Sequence, residues 1–339
     1  IPIEIREDGP NLKKVQVGFM RLVYDVDNYK ADQQRLVLAL GNFDGLHIAH
    51  RKIIKRTKDR AVEKNLRSAV FILDPHPLKV LYPHKNLLFL STLQERAEIL
   101  RNLGIDFLFI QKFTPDVARL SPFKFVQDYL VDTLQVAEIV IGFDYTFGAR
   151  GQGTADDLLQ WGKKLDFEVE IVPPVTSGNE IISSSLIRDL LRKGEVKRAA
   201  ECLGFCFTRR GKVVHGEGRG MKLGFPTANL DIPKNLLLPA RGVYLCLACW
   251  KDKKMFALTN IGVKPTFSSA QKTAVEVFLL DFDKNIYGEE LSVKFLCKIR
   301  NEVAFKDAGS LSKQIALDVN LARGLIEKKY GGLREKQFT

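Results

Sequence analysis

His47 and His50 stand three residues apart in the segment Gly41-Asn42-Phe43-Asp44-Gly45-Leu46-His47-Ile48-Ala49-His50. At that spacing two imidazoles project from one side of a helical turn. They can donate hydrogen bonds to a phosphate and to the charge that builds on it during group transfer. The segment follows an apolar run, Leu36 to Leu40, that reads as a buried strand. It leads into Arg51 to Asn65, where apolar residues recur at helical spacing. Glycines at the bend let backbone approach a ligand, and the new helix offers free N–H groups and the positive end of its dipole. An isolated H-x-x-H is more often two surface histidines. The strand–glycine turn–helix setting makes phosphate the better reading.

Other residue sets could act on phosphates too. Ser183, Ser184 and Ser185 open an amphipathic stretch that carries Arg188. Hydroxyls and amides at a helix start hold phosphate oxygens and an arginine neutralises them, although an N-cap with a surface arginine is the plain alternative. The loop from Gly142 to Gly153 follows a strand pattern and includes Asp144, Phe147, Gly148 and Arg150. Its glycines can wrap a ligand while Asp144 and Arg150 supply polarity. In the second half, Gly216, Gly218, Arg219, Gly220 and Gly224 describe a backbone cradle for phosphates. No G-K-[ST] follows, so this is not a Walker A loop. Thr227 and Asn229 lie two apart, so an extended segment turns both oxygens the same way, which suits a hard cation such as Mg²⁺. A proline–threonine turn is the alternative. Glu276, between Val275 and Val277, is either a solvent-facing strand acid or a placed general base.

The elements that must position these residues differ between the two halves. Strand patterns at 36–41, 68–73, 106–110, 138–142 and 167–172 alternate with helical stretches at 46–64, 92–103, 122–133 and 154–164. That alternation predicts a parallel sheet covered by helices, with ligands at the carboxyl ends of the strands. Helices at 182–193 and 195–203 close this half. Beyond Phe205, strand patterns at 205–214, 242–250, 255–262, 274–282 and 291–299 run without a helix until 311–329. Consecutive strands with turn signals predict an antiparallel sheet or small closed barrel with a terminal helix. The boundary falls near 200–205.

Of 339 residues, 52 are Lys or Arg and 40 are Asp or Glu, so the formal charge is +12, which favours polyanionic ligands without choosing among them. No aromatic-interleaved basic tract or zinc-finger spacing points to nucleic acid, and no apolar run approaches a membrane span. Five cysteines, an odd number with no targeting pattern in Ile1 to Gln16, predict reduced thiols and a cytoplasmic setting. Cys246 and Cys249 form C-x-x-C inside an apolar strand pattern and read as core.

GNFDGLHIAH, LDPHP at 73–77, GFDYTFGARGQG and ISSSLIRDLL together resemble the FMN adenylyltransferase module of the bacterial-type FAD synthetases, over nearly the whole first half. HGEGRGMKLGFPTAN, GVY at 242–244, NIGVKPTF at 260–267, VEVFLLDF at 275–282 and R-N-E-x-x-F at 300–305 resemble a riboflavin kinase domain, over most of the second. The resemblance implies a Rossmann-like nucleotidyltransferase domain at 17–203 and a β-barrel kinase domain with a terminal helix at 204–335. It implies that riboflavin is phosphorylated to FMN and FMN adenylylated to FAD, with Mg²⁺, ATP as donor and pyrophosphate released. On this resemblance His47, His50, Gly41, Phe43, Asp44 and Gly45 meet ATP phosphates, and Ser183, Ser184, Ser185 and Arg188 hold the triphosphate. Asp144, Phe147, Gly148 and Arg150 lie on the flavin side. Gly216 to Gly224 covers the kinase phosphates, Thr227 and Asn229 ligate the metal, Glu276 is the base and Arg300 meets flavin. Ala49 stands where the family motif has glycine, and Thr146 where it often has arginine. These departures keep open a kinase with weakened adenylyl transfer, while the charge keeps open a non-catalytic flavin- or RNA-binding regulator. The expected partners are small molecules, with no nucleic acid or membrane; oligomeric state is not legible.

Overall fold

The computed structural model describes residues 20–24, 26–31, 34–216, 218–264 and 272–330. The chain forms two compact units, neither of them a single stretch of sequence. One takes residues up to Asn42 with Ile53–Val80 and Ala97–Val172; the other takes Phe43–Lys52, Leu81–Arg96 and everything from Pro173.

The strands of the first unit are β1 (Arg21–Tyr24), β2 (Leu36–Leu40), β3 (Arg67–Asp74), β4 (Phe107–Lys112), β5 (Val136–Gly142) and β6 (Glu168–Val172). They form one parallel sheet in the order β1-β4-β3-β2-β5-β6. Every residue of β2 is buried, as expected of a central strand in a sheet covered on both faces. Helix α1 (Ile48–Glu63) begins in the other unit and continues here; α2 (Leu93–Asn102) does the same, and α3 (Ala155–Leu165) lies within this unit. Two cations of α1 are matched by acids of the sheet: Arg56 pairs with Glu170 at 2.6 Å and Arg60 with Glu138 at 2.7 Å. Part of the positive charge in that stretch is therefore structural. The expected helix at 122–133 is one α-helical turn, Pro122–Phe125, followed by a π-helical run, Val126–Thr133. β1 escaped the pattern because it has only four residues of mixed burial.

The second unit is built on a closed antiparallel barrel. Helices α4 (Ser184–Lys193) and α5 (Val196–Leu203) precede β7 (Thr208–Val214), β8 (Ala228–Asp231), β9 (Gly242–Trp250), β10 (Lys253–Lys264), β11 (Lys272–Leu279), β12 (Glu290–Arg300) and α6 (Ala308–Tyr330). The barrel order is β8-β11-β10-β9-β12-β7, closed by β7 on β8. Ile187, Leu190 and Leu191 of α4 share one buried cluster with Tyr244, Val277 and Phe295 of the barrel. Helix α6 packs on the outside, with Ala322 against Val243, Leu245, Leu258 and Cys297. Cys246 is buried in β9, and burial pushes its thiol pKa well up, as a packing role requires.

Chain order and compactness therefore part company near residue 173. The sequence changes character near Phe205, yet Pro173–Leu203 groups with the barrel, because the apolar faces of α4 and α5 are buried there. Residues 17–19 and 331–335 of the expected domains lie outside the described residues.

Candidate functional site

The turn after β2 is tightly specified. Phe43 and Leu46 hold positive φ, at 50° and 41°, in a region that L-residues enter at a cost. Gly45 has φ 82°, and a Cβ there would lie 2.9 Å from Leu90. Helix α1 then starts with His47 at its mouth, only 3% exposed. The two imidazoles stack, with centroids 3.5 Å apart and planes at 20°, and the Phe43 ring stands edge-on to His50 at 5.3 Å.

Both histidines are neutral at pH 7. Burial lowers the His47 pKa to about 4, with Asp44 opposing and Arg188 reinforcing the shift. Burial, then His47, Arg96 and Arg188, lower that of His50. The His50 backbone N–H donates to His47 Nδ1 at 3.4 Å, which leaves Nε2 to carry the His47 proton. His50 Nδ1 is buried and has no hydrogen-bond partner among the described residues.

Asp44 organises what surrounds them. Its carboxylate, 4% exposed, accepts from the Leu90 and Ser91 amides and from Ser91 Oγ, all at 3.0 Å. Arg188 Nη2 donates to it at 2.5 Å, while Arg188 Nε donates to the Leu88 carbonyl at 3.0 Å. Arg188 Nη1 makes no hydrogen bond among the described residues. An acceptor-only carboxylate with its lone pairs so engaged does not itself hold phosphate; it aims Arg188. Ser183 caps α4 by accepting from the Leu186 amide, Ser184 donates to the Asp44 carbonyl at 2.9 Å, and Ser185 is exposed. The histidine motif and the serine/arginine motif thus meet, 144 residues apart in sequence. Leu88 to Ser91, which join them, carry no sequence signal, because apart from Ser91 Oγ their part is played by backbone groups.

Ala49 lies within the first turn of α1, half-buried and with ordinary helical φ. Its methyl group is compatible with this backbone.

The glycine loop of the first unit is only partly as expected. Asp144 and Arg150 are exposed, and Arg150 takes φ 56°. Gly148 has φ 70°, and a Cβ there would meet Pro122 at 2.7 Å. Phe147, expected at the flavin, is instead 6% exposed and packs among Phe125, Tyr145 and Trp161 in the core. Its faces are occupied by its own unit.

On the barrel, Val275 and Val277 point inward, so Glu276 faces out. Strand register sets Glu276 opposite Asn229 on one side and Asn260 on the other. These three polar residues form a row across β8, β11 and β10. A Cβ at Gly216 would collide with the Asn229 side chain, and one at Gly220 with the Phe225 carbonyl, lying 3.2 Å from Thr227 Oγ1. The cradle therefore closes directly on Thr227 and Asn229. Gly218 and Gly224 have φ 67° and 82°; the side chain of Arg219 lies outside the described residues. Arg300, expected at flavin, is committed elsewhere. Its Nε reaches both oxygens of buried Asp318 at 2.9 Å, Nη2 reaches one at 2.8 Å, and Nη1 donates to the Asn301 carbonyl. That fork fastens α6 to β12. Glu302 Oε1 accepts from the Val263 amide at 3.2 Å, a structural role.

Residues 29–186 match the FAD synthetase family model and residues 203–326 the riboflavin kinase model. The chain is 38% identical to a bifunctional riboflavin kinase/FMN adenylyltransferase of Listeria monocytogenes, over 86% of this chain and 93% of the relative. Enzymes of the same description from Bacillus subtilis and Escherichia coli K12 are 36% and 32% identical, covering 85% and 90% of this chain and 92% and 97% of theirs. A solved Streptococcus pneumoniae structure, described as a macrolide-efflux protein, superposes with TM-score 0.81 at 32% identity, over 90% of this chain and 98% of that one.

Proposed function

Because the chain belongs to the family of bifunctional riboflavin kinase/FMN adenylyltransferases, and so makes FMN and then FAD at the expense of ATP, we propose a division of those two reactions between the two sets of residues. The His47–His50–Asp44–Arg188 constellation carries adenylyl transfer. The row around Glu276 carries phosphorylation. The corresponding modules run over 17–203 and 204–335 in sequence, although their cores do not part there.

In adenylyl transfer the FMN phosphate attacks the α-phosphorus of ATP, and pyrophosphate leaves. A phosphate is already anionic at neutral pH, so alignment and charge stabilisation suffice. His47 Nε2–H and the His50 ring donate to phosphate oxygens, and Arg188, aimed by Asp44, neutralises the charge of the leaving group. Gly41, Phe43 and Gly45 shape the turn; Ser183, Ser184 and Ser185 bring hydroxyls and amides at the α4 start. Asp144, Gly148 and Arg150 are assigned to the FMN side. The observation that carries this half is the neutral, stacked histidine pair beside Arg188.

In the kinase reaction riboflavin offers an alcohol, which needs a base before it attacks the γ-phosphate. Glu276 is that base. Mg²⁺ belongs to the proposal. Thr227 and Asn229 offer neutral oxygens on one cradle, and no group of three or more His, Cys, Asp or Glu that could hold a metal exists among the described residues. Such a cation would draw its other ligands from ATP phosphates and water, and when bound it neutralises phosphate charge. The cytoplasm is proposed as the compartment on the strength of five free cysteines.

Riboflavin, FMN and ATP supplied separately test the division. His47→Ala should abolish FAD formation from FMN while FMN formation from riboflavin persists, and Glu276→Gln should do the reverse. Equal loss of both activities in either variant would refute it. The narrower reading, a kinase with failed adenylyl transfer, predicts FMN accumulating without FAD in the unaltered chain; the helical backbone at Ala49 weighs against it.

A further inference from the structure

The alternation of β7 turns Arg209, Gly211 and Val213 into the barrel and Arg210 and Lys212 outward. Arg209 therefore occupies an inward position where an apolar side chain is the rule, and it is 1% exposed. No carboxylate lies within ion-pair distance of it among the described residues. Its guanidinium is satisfied by carbonyls from three segments: Nε donates to Leu237 at 2.7 Å, Nη1 to Leu90 at 3.1 Å and to Thr208 at 2.9 Å, and Nη2 to Phe89 at 3.4 Å. The group also lies 4.0 Å over the Phe207 ring. Burying a cation without a counter-ion is unfavourable, and an apolar residue would fill the position at less expense. A leucine there, however, would strip the buried Leu90 and Leu237 carbonyls of this donor.

The Leu90 peptide faces two ways. Its carbonyl is held by Arg209, while its N–H and that of Ser91 are donated to Asp44. Two residues earlier, the Leu88 carbonyl accepts from Arg188, and Ser91 Oγ accepts from the Gly45 amide at 2.8 Å. The strap from Leu88 to Ser91 is thus gripped from inside the barrel on one side and grips the histidine turn and Arg188 on the other. Burial draws the Arg209 pKa down to about 10, with Glu95 and Asp44 opposing, so the group keeps its charge at neutral pH and senses the Asp44 carboxylate.

We propose that Arg209 is a positioning residue for adenylyl transfer, acting from within the kinase barrel through the Leu88–Ser91 strap on Asp44, and so on Arg188 and the turn that carries His47. This rests on the assignment of that constellation to FAD formation. Arg209 touches no substrate. Its loss lets the strap and Asp44 drift by a fraction of an ångström, an error that alignment-dependent transfer magnifies.

The full-length chain provides its own control, since riboflavin phosphorylation reports barrel integrity in the same tube. Arg209→Met should lower kcat for FAD formation roughly tenfold to a hundredfold, with KM for ATP changed less and FMN formation within about twofold. Arg209→Lys, which keeps charge and some donors, should recover part of that loss. Combined with Asp44→Asn, Arg209→Met should add little further loss, because both act on one strap. Losses that multiply would place Arg209 outside this route. A parallel fall of both activities would make it a packing residue, and unchanged FAD formation would end the idea. Should Arg209→Met fail to fold, Arg209→Lys decides: a loss of at least about threefold confined to FAD formation supports the proposal, and none overturns it. If His47→Ala alone left FAD formation intact, the underlying assignment would fail instead, independently of Arg209.

Discussion

A neutral imidazole pair can sit beside Arg188 and still donate to phosphate oxygens, where a doubly charged pair would repel the guanidinium that shares the site. The ionisation states have two measurable consequences. The ratio kcat/KM for ATP in FAD formation reports the free enzyme, so it should show no limb near pH 6.5, the ordinary histidine value. A steep decline on raising the pH through that value would mean that a charged histidine does the chemistry. The same shifts act on stability. Both folded-state pKa values lie below the unfolded one, and for His47 the gap runs from about pH 4 to 6.5, where the unfolded chain binds a proton that the folded chain does not. Stability is therefore gained as pH rises through that window and lost as it falls, by up to about 1.4 kcal/mol per pH unit for His47, with His50 acting in the same direction. Urea midpoints at pH 5 and pH 7 should differ less in His47→Asn than in the unaltered chain. Ala49 lends itself to an equally direct measurement. With helical backbone there, Ala49→Gly should lower stability by about 0.5–1 kcal/mol and leave FAD formation unimproved. A tenfold faster variant would mean that the methyl group crowds the nucleotide.

The elements around the sites are held by few, specific contacts. Gly45→Ala would combine φ 82° with a Cβ 2.9 Å from Leu90, so both the turn and the strap must shift. A stability loss above about 1 kcal/mol, with FAD formation falling far more than FMN formation, is expected by calorimetry and product assay. Helix α6 depends on the Arg300–Asp318 pair. Asp318→Ala takes the counter-ion from the half-buried Arg300 guanidinium and should cost roughly 1.5–3 kcal/mol in a denaturant titration. These contacts also mark what sequence reading can reach. The parallel sheet, the barrel and the terminal helix were legible because period-2 and period-3.6 patterns persist over whole elements. β1 and β8, four residues each, fall below the length at which a period can be recognised. His47, His50, Arg188 and Glu276 stood out in the sequence because their residue types are rare in such settings, and the structure joins the histidine turn to Arg188 through Asp44. The burial of Phe147 and the pairing of Arg300 with Asp318 were not legible, because a motif fixes a residue's neighbourhood but not the direction its side chain takes. Arg209 and the strap were invisible, since a guanidinium bound to carbonyls leaves no mark at its partners' positions.

At the scale of the whole molecule, the chain passes from one compact unit to the other five times, at residues 42, 52, 80, 96 and 172. The sequence places a boundary near 200–205 because local pattern changes there, whereas burial is decided by which faces find cover. Its two tryptophans fall one in each unit, Trp161 in the first and Trp250 in the second. In single-tryptophan variants, Asp318→Ala should move the unfolding midpoint reported by Trp250 at least as far as that reported by Trp161; a shift seen only by Trp161 would contradict the grouping of α6 with the barrel. The interleaving also bears on how the protein is made. Asp44 leaves the ribosome 144 residues before Arg188, and Leu90 leaves it 119 before Arg209. At typical synthesis speeds the histidine turn waits roughly 7–30 s for its arginine. The first motif to be translated thus stays without its arginine until more than half of the chain has been made, and Arg209, on the first barrel strand, follows 21 residues later.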